Sequence, residues 1–332
     1  MTLKAFARVP LIDLAPYFAG DAAARRRVGE ELTRACEEVG FLYLSNHGVD
    51  PALIARTVEA SFDYFHRPAE EKRALHLNLT PNHRGYVGPL EVSPDTTTGA
   101  PGKGDVREVF KVAHATPEDD PDYRAGNVIY GPNVWPREPA AFEPAVSAYY
   151  AAVERLARDM FRLFALGLGL AEDYFLPMVT KPASVMNINF YAATAPGAAG
   201  SGIGAHSDYE AFAILWQDSN GGLEVENAAG EWIPVPPIDG TFVVNIGDLM
   251  QRWTNGRFSA TRHRVNNRSG RERLSIAYFG NVDYATEIRC LEACMGPNDP
   301  PRFPVTTAGR HLMEAILRTY PDLPKYRNCP IP

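Results

Sequence analysis

From residue 184 to residue 279 no pattern in the sequence lasts longer than a β-strand. Apolar and polar residues alternate over 184–192, 211–217, 223–226, 231–235, 241–246, 261–266 and 273–279. Turn-forming clusters separate the runs, among them Ser219-Asn220-Gly221-Gly222, Asp239-Gly240 and Asn255-Gly256. A strand sends alternate side chains to opposite faces, so each run has an apolar side that needs a partner. Many short strands at this spacing satisfy one another as a sandwich or jelly-roll barrel.

Helical patterns flank this region. Residues 22–39 place Val28, Leu32, Ala35, Cys36 and Val39 on one face, and Gly40 is positioned to end the helix. Asp50 before Pro51 reads as an N-cap, and Leu53, Val58, Phe62 and Phe65 form the buried stripe of the helix that follows. The strongest helical signal is 139–166, where Phe142, Val146, Tyr149, Val153, Leu156, Met160, Leu163 and Phe164 recur at helical spacing. Such an aromatic stripe is the core face of a helix backing a sheet. Short strands are expected at 9–14, at the sheet edge, and at 41–44, with a short helix at 171–178 and a final amphipathic helix at 306–320. The Pro-rich end is expected across the barrel mouth. Between residues 76 and 136 only 108–113 reads as a strand, and a connection this long points to a segment that lines or covers a site.

A chain of 332 residues with 45% apolar and 22% charged residues has ordinary globular composition. A net charge of −7 argues against nucleic-acid and anionic-membrane partners and favours a small-molecule substrate. No apolar run reaches membrane-span length and the first ten residues lack a signal-peptide core, so a cytoplasmic location is expected. Cys36, Cys290, Cys294 and Cys329 are too sparse for a disulfide scaffold, and Cys290 and Cys294 lack a second pair of zinc ligands. Oligomeric state stays open.

The chemistry lies in three places within the strand-rich region. His206 and Asp208 form a His-x-Asp pair, His263 follows, and then Arg273 and Ser275 form an Arg-x-Ser pair. Residues i and i+2 of a strand share a face, so each pair can act side by side. Two imidazoles and one carboxylate match the facial triad of non-haem Fe(II) oxygenases, although zinc hydrolases also use such a set. Arg273 beside Ser275 would clamp a distal carboxylate, because a guanidinium offers a planar fork and never loses its charge. A keto acid held there could chelate the metal with its other end, and Tyr191, on the same strand face as Asn187 and Asn189, could add a hydrogen bond. Taken singly, His263 suits a structural role and Arg273 a strand surface, and Arg257-Phe258-Ser259 repeats the Arg-x-Ser pattern by chance. Taken jointly, the residues favour a metal.

At this point the chain resembles the isopenicillin N synthase-like group of 2-oxoglutarate and Fe(II)-dependent dioxygenases. The likeness runs from Val9-Pro10-Leu11-Ile12-Asp13-Leu14 through Glu38-Val39-Gly40-Phe41 and Asn46-His47-Gly48-Val49. It continues through Asn189-Phe190-Tyr191, Gly204-Ala205-His206-Ser207-Asp208, Gly221-Gly222-Leu223, Val244-Asn245-Ile246-Gly247-Asp248, His263-Arg264-Val265 and Arg271-Glu272-Arg273-Leu274-Ser275. The resemblance implies a mainly β fold with flanking helices around a double-stranded β-helix (jelly-roll) core. It divides the chain into an amino-terminal region at 1–120, a long backing helix and connection at 121–180, the jelly-roll core at 181–285 and a carboxy-terminal helix and tail at 286–332. His206, Asp208 and His263 would be iron ligands, with Arg273, Ser275 and Tyr191 at the 2-oxoglutarate carboxylate and Asn189 near the cosubstrate. Where many plant members read Asn-Tyr-Tyr-Pro-Pro, this chain has Asn189-Phe190-Tyr191-Ala192-Ala193, which points to a different shape for the loop that follows.

The activity so implied uses Fe(II), O2 and 2-oxoglutarate, releases succinate and CO2, and hydroxylates, desaturates or cyclises a small organic molecule. Two alternatives stand beside it: an iron oxidase of the same fold that needs no 2-oxoglutarate, and a metal-binding barrel without turnover. Arg84, Tyr86 and Phe110 from the irregular segment, with Tyr209 beside the metal motif, are candidates for the substrate pocket, Arg84 suiting an acidic substrate.

Overall fold

The computed structural model describes residues 5–91, 105–193, 202–320 and 323–332. Its strands are β1 Leu11–Asp13, β2 Phe41–Ser45, β3 Gly85–Val87, β4 Glu108–Ala113, β5 Val185–Tyr191, β6 Gly202–His206, β7 Phe212–Gln217, β8 Leu223–Glu226, β9 Trp232–Pro234, β10 Phe242–Ile246, β11 His263–Asn266 and β12 Arg273–Gly280, with a short β13–β14 pair at Glu287–Ile288 and Thr306–Thr307. The helices are α1 Ala15–Ala19, α2 Ala22–Glu38, α3 Pro51–Phe65, α4 Ala69–Arg73, α5 Pro121–Arg124, α6 Phe142–Gly167, α7 Asp248–Trp253, α8 Ala308–Thr319 and α9 Pro324–Arg327. None of them is long and apolar enough to cross a membrane.

Two sheets face each other. The larger runs β1-β2-β10-β7-β12-β5-β4-β3, and the smaller β6-β11-β8-β9. Strand alternation sorts the larger sheet into two faces. Outward-pointing Leu42, Val244, Ile214, Ile276, Ile188 and Phe110 join one apolar cluster with Val146, Val153, Met160 and Phe164 of α6. Phe161 meets Phe212 edge to face and Phe164 meets it at a tilt, with ring centroids 5.1 and 5.2 Å away. Inward-pointing Tyr43, Val243 and Tyr191 pack instead against Leu223, Val225 and Val265 of the smaller sheet. This is the jelly-roll architecture that the sequence implies.

Most elements form where the pattern places them. Asp50 caps α3 by accepting a hydrogen bond from the Ala52 N–H, and β1 sits at the edge of the large sheet. The structure adds β3, β6 and α7, none of which the periodicity shows. In β6, Gly202-Ile203-Gly204-Ala205-His206 carries too few apolar residues to alternate. The 171–178 helix shortens to a single 3-10 turn at Leu176–Met178. Part of the irregular 76–136 segment, residues 92–104, and residues 194–201 of the loop expected to differ in shape after Ala192-Ala193 lie outside the described residues.

Gly40 joins α2 to β2 at φ +72°, and a Cβ there would run into the Ser259 carbonyl oxygen and the Thr261 hydroxyl. A Gly40→Ala variant is therefore strained in backbone and in packing. It should lose about 2 to 3 kcal/mol of stability, read as a lower midpoint in urea unfolding.

Candidate active site

His206 is the last residue of β6, and β11 lies antiparallel beside it, so that His263 is its register partner. The two imidazole rings sit 4.3 Å apart, centroid to centroid. Asp208 lies two residues past the end of β6, which corrects the expectation that it is a strand residue, yet its carboxylate stands beside the His206 imidazole as the i, i+2 spacing implies. Asp208 Oδ1 is 3.5 Å from His206 Nε2 and 3.6 Å from His263 Nε2. One candidate ligand atom from each residue lies within 4.8 Å of the others.

The hydrogen bonds around the cluster orient it. His206 Nδ1 is 2.8 Å from the Gly204 carbonyl oxygen, and His263 Nδ1 is 3.2 Å from that of Thr261. A carbonyl only accepts, so each Nδ1 carries the proton and each Nε2 turns a lone pair toward the centre. Asn245 donates to Asp208 Oδ2 at 2.6 Å, leaving Oδ1 free to face the imidazoles. Burial would raise the Asp208 pKa, but His263, His206 and Asn245 hold it down to about 2. Burial and the neighbouring His206 push His263 down to about 4, so its imidazole is neutral at pH 7. Burial lowers the His206 pKa, but Asp208 outweighs it and holds that imidazole above its ordinary value, so a divalent metal taking this donor set would displace a proton from His206.

A second constellation lies along β12. Arg273 is fully buried. Its Nε donates to the Gly221 carbonyl at 2.6 Å, Nη1 to Ser275 Oγ at 3.1 Å and Nη2 to Gln217 Oε1 at 3.5 Å. Every one of these partners is neutral. The guanidinium lies 4.8 Å from the centre of the Tyr191 ring, and the Tyr191 hydroxyl is buried without a hydrogen-bond partner. A buried cation and an orphaned hydroxyl at one end of a cavity fit an incoming carboxylate.

One cavity joins the two constellations. Its walls include His206, Asp208 and His263 at one part, Arg273, Ser275 and Tyr191 at another, and Asn189 and Arg107 between. Four sequence-level candidates lie elsewhere. Arg84 is wholly buried away from the cavity, and its terminal nitrogens donate to the carbonyls of Ile129 (2.7 Å), His83 (3.2 Å) and His114 (3.3 Å), which ties loops together, its Nε being left buried without a partner. Tyr86 donates to Glu108 at 2.6 Å, and Phe110 is stacked among Tyr64, Trp135 and Phe142 in the outer core. Both point away because they sit on the outward face of their strands. Tyr209 packs against α8, its hydroxyl 3.3 Å from Thr319 Oγ1.

Comparison with known proteins fits this geometry. Residues 9–138 match the model of the non-haem dioxygenase N-terminal region, named for morphine synthesis, and residues 182–282 match that of the 2OG-Fe(II) oxygenase superfamily. The chain belongs to the 2-oxoglutarate–Fe(II) oxygenases. This oxygenase is 36% identical to the 2-oxoglutarate-Fe(II) type oxidoreductase ppzC of Metarhizium rileyi, over 89% of its own length and 83% of the relative's. It is 31% identical to a homoarginine-6-hydroxylase of Oryza sativa subsp. japonica, over 95% of its length and 98% of the relative's. Among solved structures it superposes with a TM-score of 0.81 on a full-length Neurospora crassa protein crystallised with alpha-ketoglutarate and thymine, at 26% identity, covering 93% of this chain and 96% of that one. It is thus a 2-oxoglutarate-dependent Fe(II) enzyme, and the alternatives of a 2-oxoglutarate-independent oxidase and a binding barrel without turnover fall away.

The sequence reading of this oxygenase passed over Arg107 and the part played by Asn245. Asn245 had a visible signal, being the lone polar residue on the inward side of Phe242–Ile246. Arg107 had none, because it precedes its strand. Asn245→Ala should weaken divalent-metal binding about 10- to 100-fold, since it removes the group that orients Asp208; a Mn(II) titration followed by fluorescence would show it, and an unchanged affinity would refute the orienting role.

Proposed function

We propose that His206, Asp208 and His263 hold the Fe(II), that Arg273, Ser275 and Tyr191 receive the distal carboxylate of 2-oxoglutarate, and that a small organic molecule is oxidised in the remaining space. The observation that carries this reading is the fully buried Arg273 guanidinium with neutral partners alone beside an unpartnered Tyr191 hydroxyl. The thymine bound by the Neurospora relative supports a small-molecule substrate. Four buried cysteines, all free, favour a reducing compartment, the cytoplasm.

When bound, iron and 2-oxoglutarate supply the oxidising power: the keto acid loses CO2 and becomes succinate as one oxygen atom of O2 goes to the substrate in a hydroxylation. The protein's own part is positional. Arg273 and Ser275 fix one end of the cosubstrate, so its keto acid end meets the metal cluster at a set distance. Asn245 holds Asp208 so that one oxygen faces the centre, and the carbonyls of Gly204 and Thr261 hold each imidazole in its metal-binding tautomer. Ala213, Leu215, Ala277 and Phe279 line the rest of the cavity with apolar surface that sheds water readily.

His206→Ala and Asp208→Ala should each abolish iron-dependent succinate release from 2-oxoglutarate; normal release by either would remove the metal assignment. Arg273→Ala should leave metal binding in place and raise the KM for 2-oxoglutarate at least 100-fold, because a buried ion pair broken on one side costs about 3 to 5 kcal/mol. An unchanged KM would mean that the cosubstrate carboxylate binds elsewhere.

A further inference from the structure

A second pair of cations lies on the opposite side of Asn189 from Arg273: Arg107 lines the cavity, and Lys111 sits behind the lining, two strands from Ala277. In the sheet register, Ala277 of β12 pairs with Asn187 of β5, and Asn187 pairs with Lys111 of β4. Lys111 therefore points inward in the same row as the cavity-lining Ala277. It is only 7% exposed, yet its ammonium, with three donors, makes a single hydrogen bond, to Asn187 Oδ1 at 3.2 Å. Among the described residues no carboxylate oxygen lies within 4.0 Å of it. Arg107, four residues earlier, lines the cavity itself. Its two terminal nitrogens reach Asp105 Oδ2 and Asn189 Oδ1, while its Nε is buried and unpartnered.

The charges around this wall do not cancel. Arg107 and Arg84 repel the Lys111 charge, and the one carboxylate that attracts it, Glu210, is itself pushed up to about 7 by burial and by Asp208. Burial, with Arg107 next in effect, holds Lys111 down to about 7. A bound anion would reverse that shift. A protein that buries an ammonium with one neutral partner has left its desolvation uncompensated, and a carboxylate is the group that restores it through charge-assisted hydrogen bonds. The distal carboxylate of 2-oxoglutarate already has Arg273, so this wall is left for the other reactant.

We propose that the molecule oxidised is an organic acid whose carboxylate seats between the Lys111 ammonium and the Arg107 guanidinium, turning the rest of the molecule toward His206, Asp208 and His263. The inference rests on the iron and 2-oxoglutarate reading above and adds the class of its substrate. Arg107 and Lys111 are then specificity residues, and an uncharged analogue of the same shape lacks the group that orients it.

The test uses the full chain loaded with Mn(II), which binds without turnover. A 2-oxoglutarate titration of this loaded wild-type protein comes first and checks the underlying reading on its own: failure there sinks the cosubstrate assignment, not the acid wall. Benzoate, 4-phenylbutyrate and octanoate are then compared with their primary amides by thermal shift in saturating 2-oxoglutarate. At least one acid should raise the melting temperature by several degrees while its amide does not, and its affinity should be independent of 2-oxoglutarate concentration. Equal shifts for acid and amide, no shift with any acid, or displacement of the acid by 2-oxoglutarate would each overturn the proposal. Lys111→Met should weaken the responding acid at least 10-fold and Lys111→Arg should retain the preference for acid over amide; a folded Lys111→Met that binds the acid as wild type does would overturn it as well. The acid–amide comparison on wild type needs no variant to fold.

Discussion

Everything in this molecule depends on the larger sheet keeping its two faces chemically distinct. The outward face is almost wholly apolar and is covered by α6, whose Phe142, Val146, Val153, Met160 and Phe164 are fully buried. Each such side chain contributes about 1.5 to 3 kcal/mol on burial. That margin lets the inward face carry groups that no ordinary core would hold: Asn187, Asn189, Asn245, Arg273 and Ser275 all lie buried there. An unsatisfied buried polar group costs about 1 to 3 kcal/mol, so a sheet with only one covered face could not sustain this set. The long helix is thus part of the active site's energetics although no residue of α6 lines the cavity.

The two fully buried arginines show how partners decide role. Arg84 and Arg273 have the same charge and the same burial. Arg84 spends its terminal nitrogens on three backbone carbonyls from separate loops, which makes it a fastener for the region around β3. Arg273 has a carbonyl on Nε but turns its outer edge to a hydroxyl and a side-chain amide, both of which can rearrange around a ligand. Backbone carbonyls cannot. The distinction is invisible in sequence, where both are arginines at the start of a strand, and it explains why Arg84 read as a substrate contact.

Periodicity carried the strands and helices because those elements bury one face, and burial writes itself into the order of apolar residues. It failed at β6 and α7, for opposite reasons. β6 has two glycines in five residues, little apolar area and a half-exposed setting, so its ladder to β11 is held by backbone pairing that leaves no side-chain record. α7 is six residues long, too short for a helical stripe to repeat. The metal-ligand set was legible since His206, Asp208 and His263 are chemically unusual in any setting, and His206 and Asp208 do meet side by side although Asp208 lies beyond the last residue of β6. Lys111 escaped for a related reason, because a lone cation in a strand reads as solvent-facing until the far side of the sheet is seen to be covered, and Arg107, just before that strand, carries no pattern at all.

That covering comes from the end of the chain. Val87 and Val109, beside Lys111, pack into one cluster with Leu312, Met313, Ile316, Tyr320 and Tyr326 from α8 and the tail. Lys325 then donates to the carbonyls of Leu77 (2.5 Å), Thr80 (3.1 Å) and Asn82 (2.8 Å), and the Tyr326 hydroxyl lies 2.6 Å from His83 Nδ1. The carboxy-terminal segment therefore grips the loop that leads into β3, and Arg84 grips the same loop from within. β3 is the open edge of the large sheet, and only this three-residue strand covers the outer side of β4, so the edge would otherwise be free to fray. Bracing that edge from both sides keeps the inward face of β4 dry and its cations in place. The fastening that made Arg84 unsuitable as a substrate contact is what gives Lys111 a fixed wall to project from.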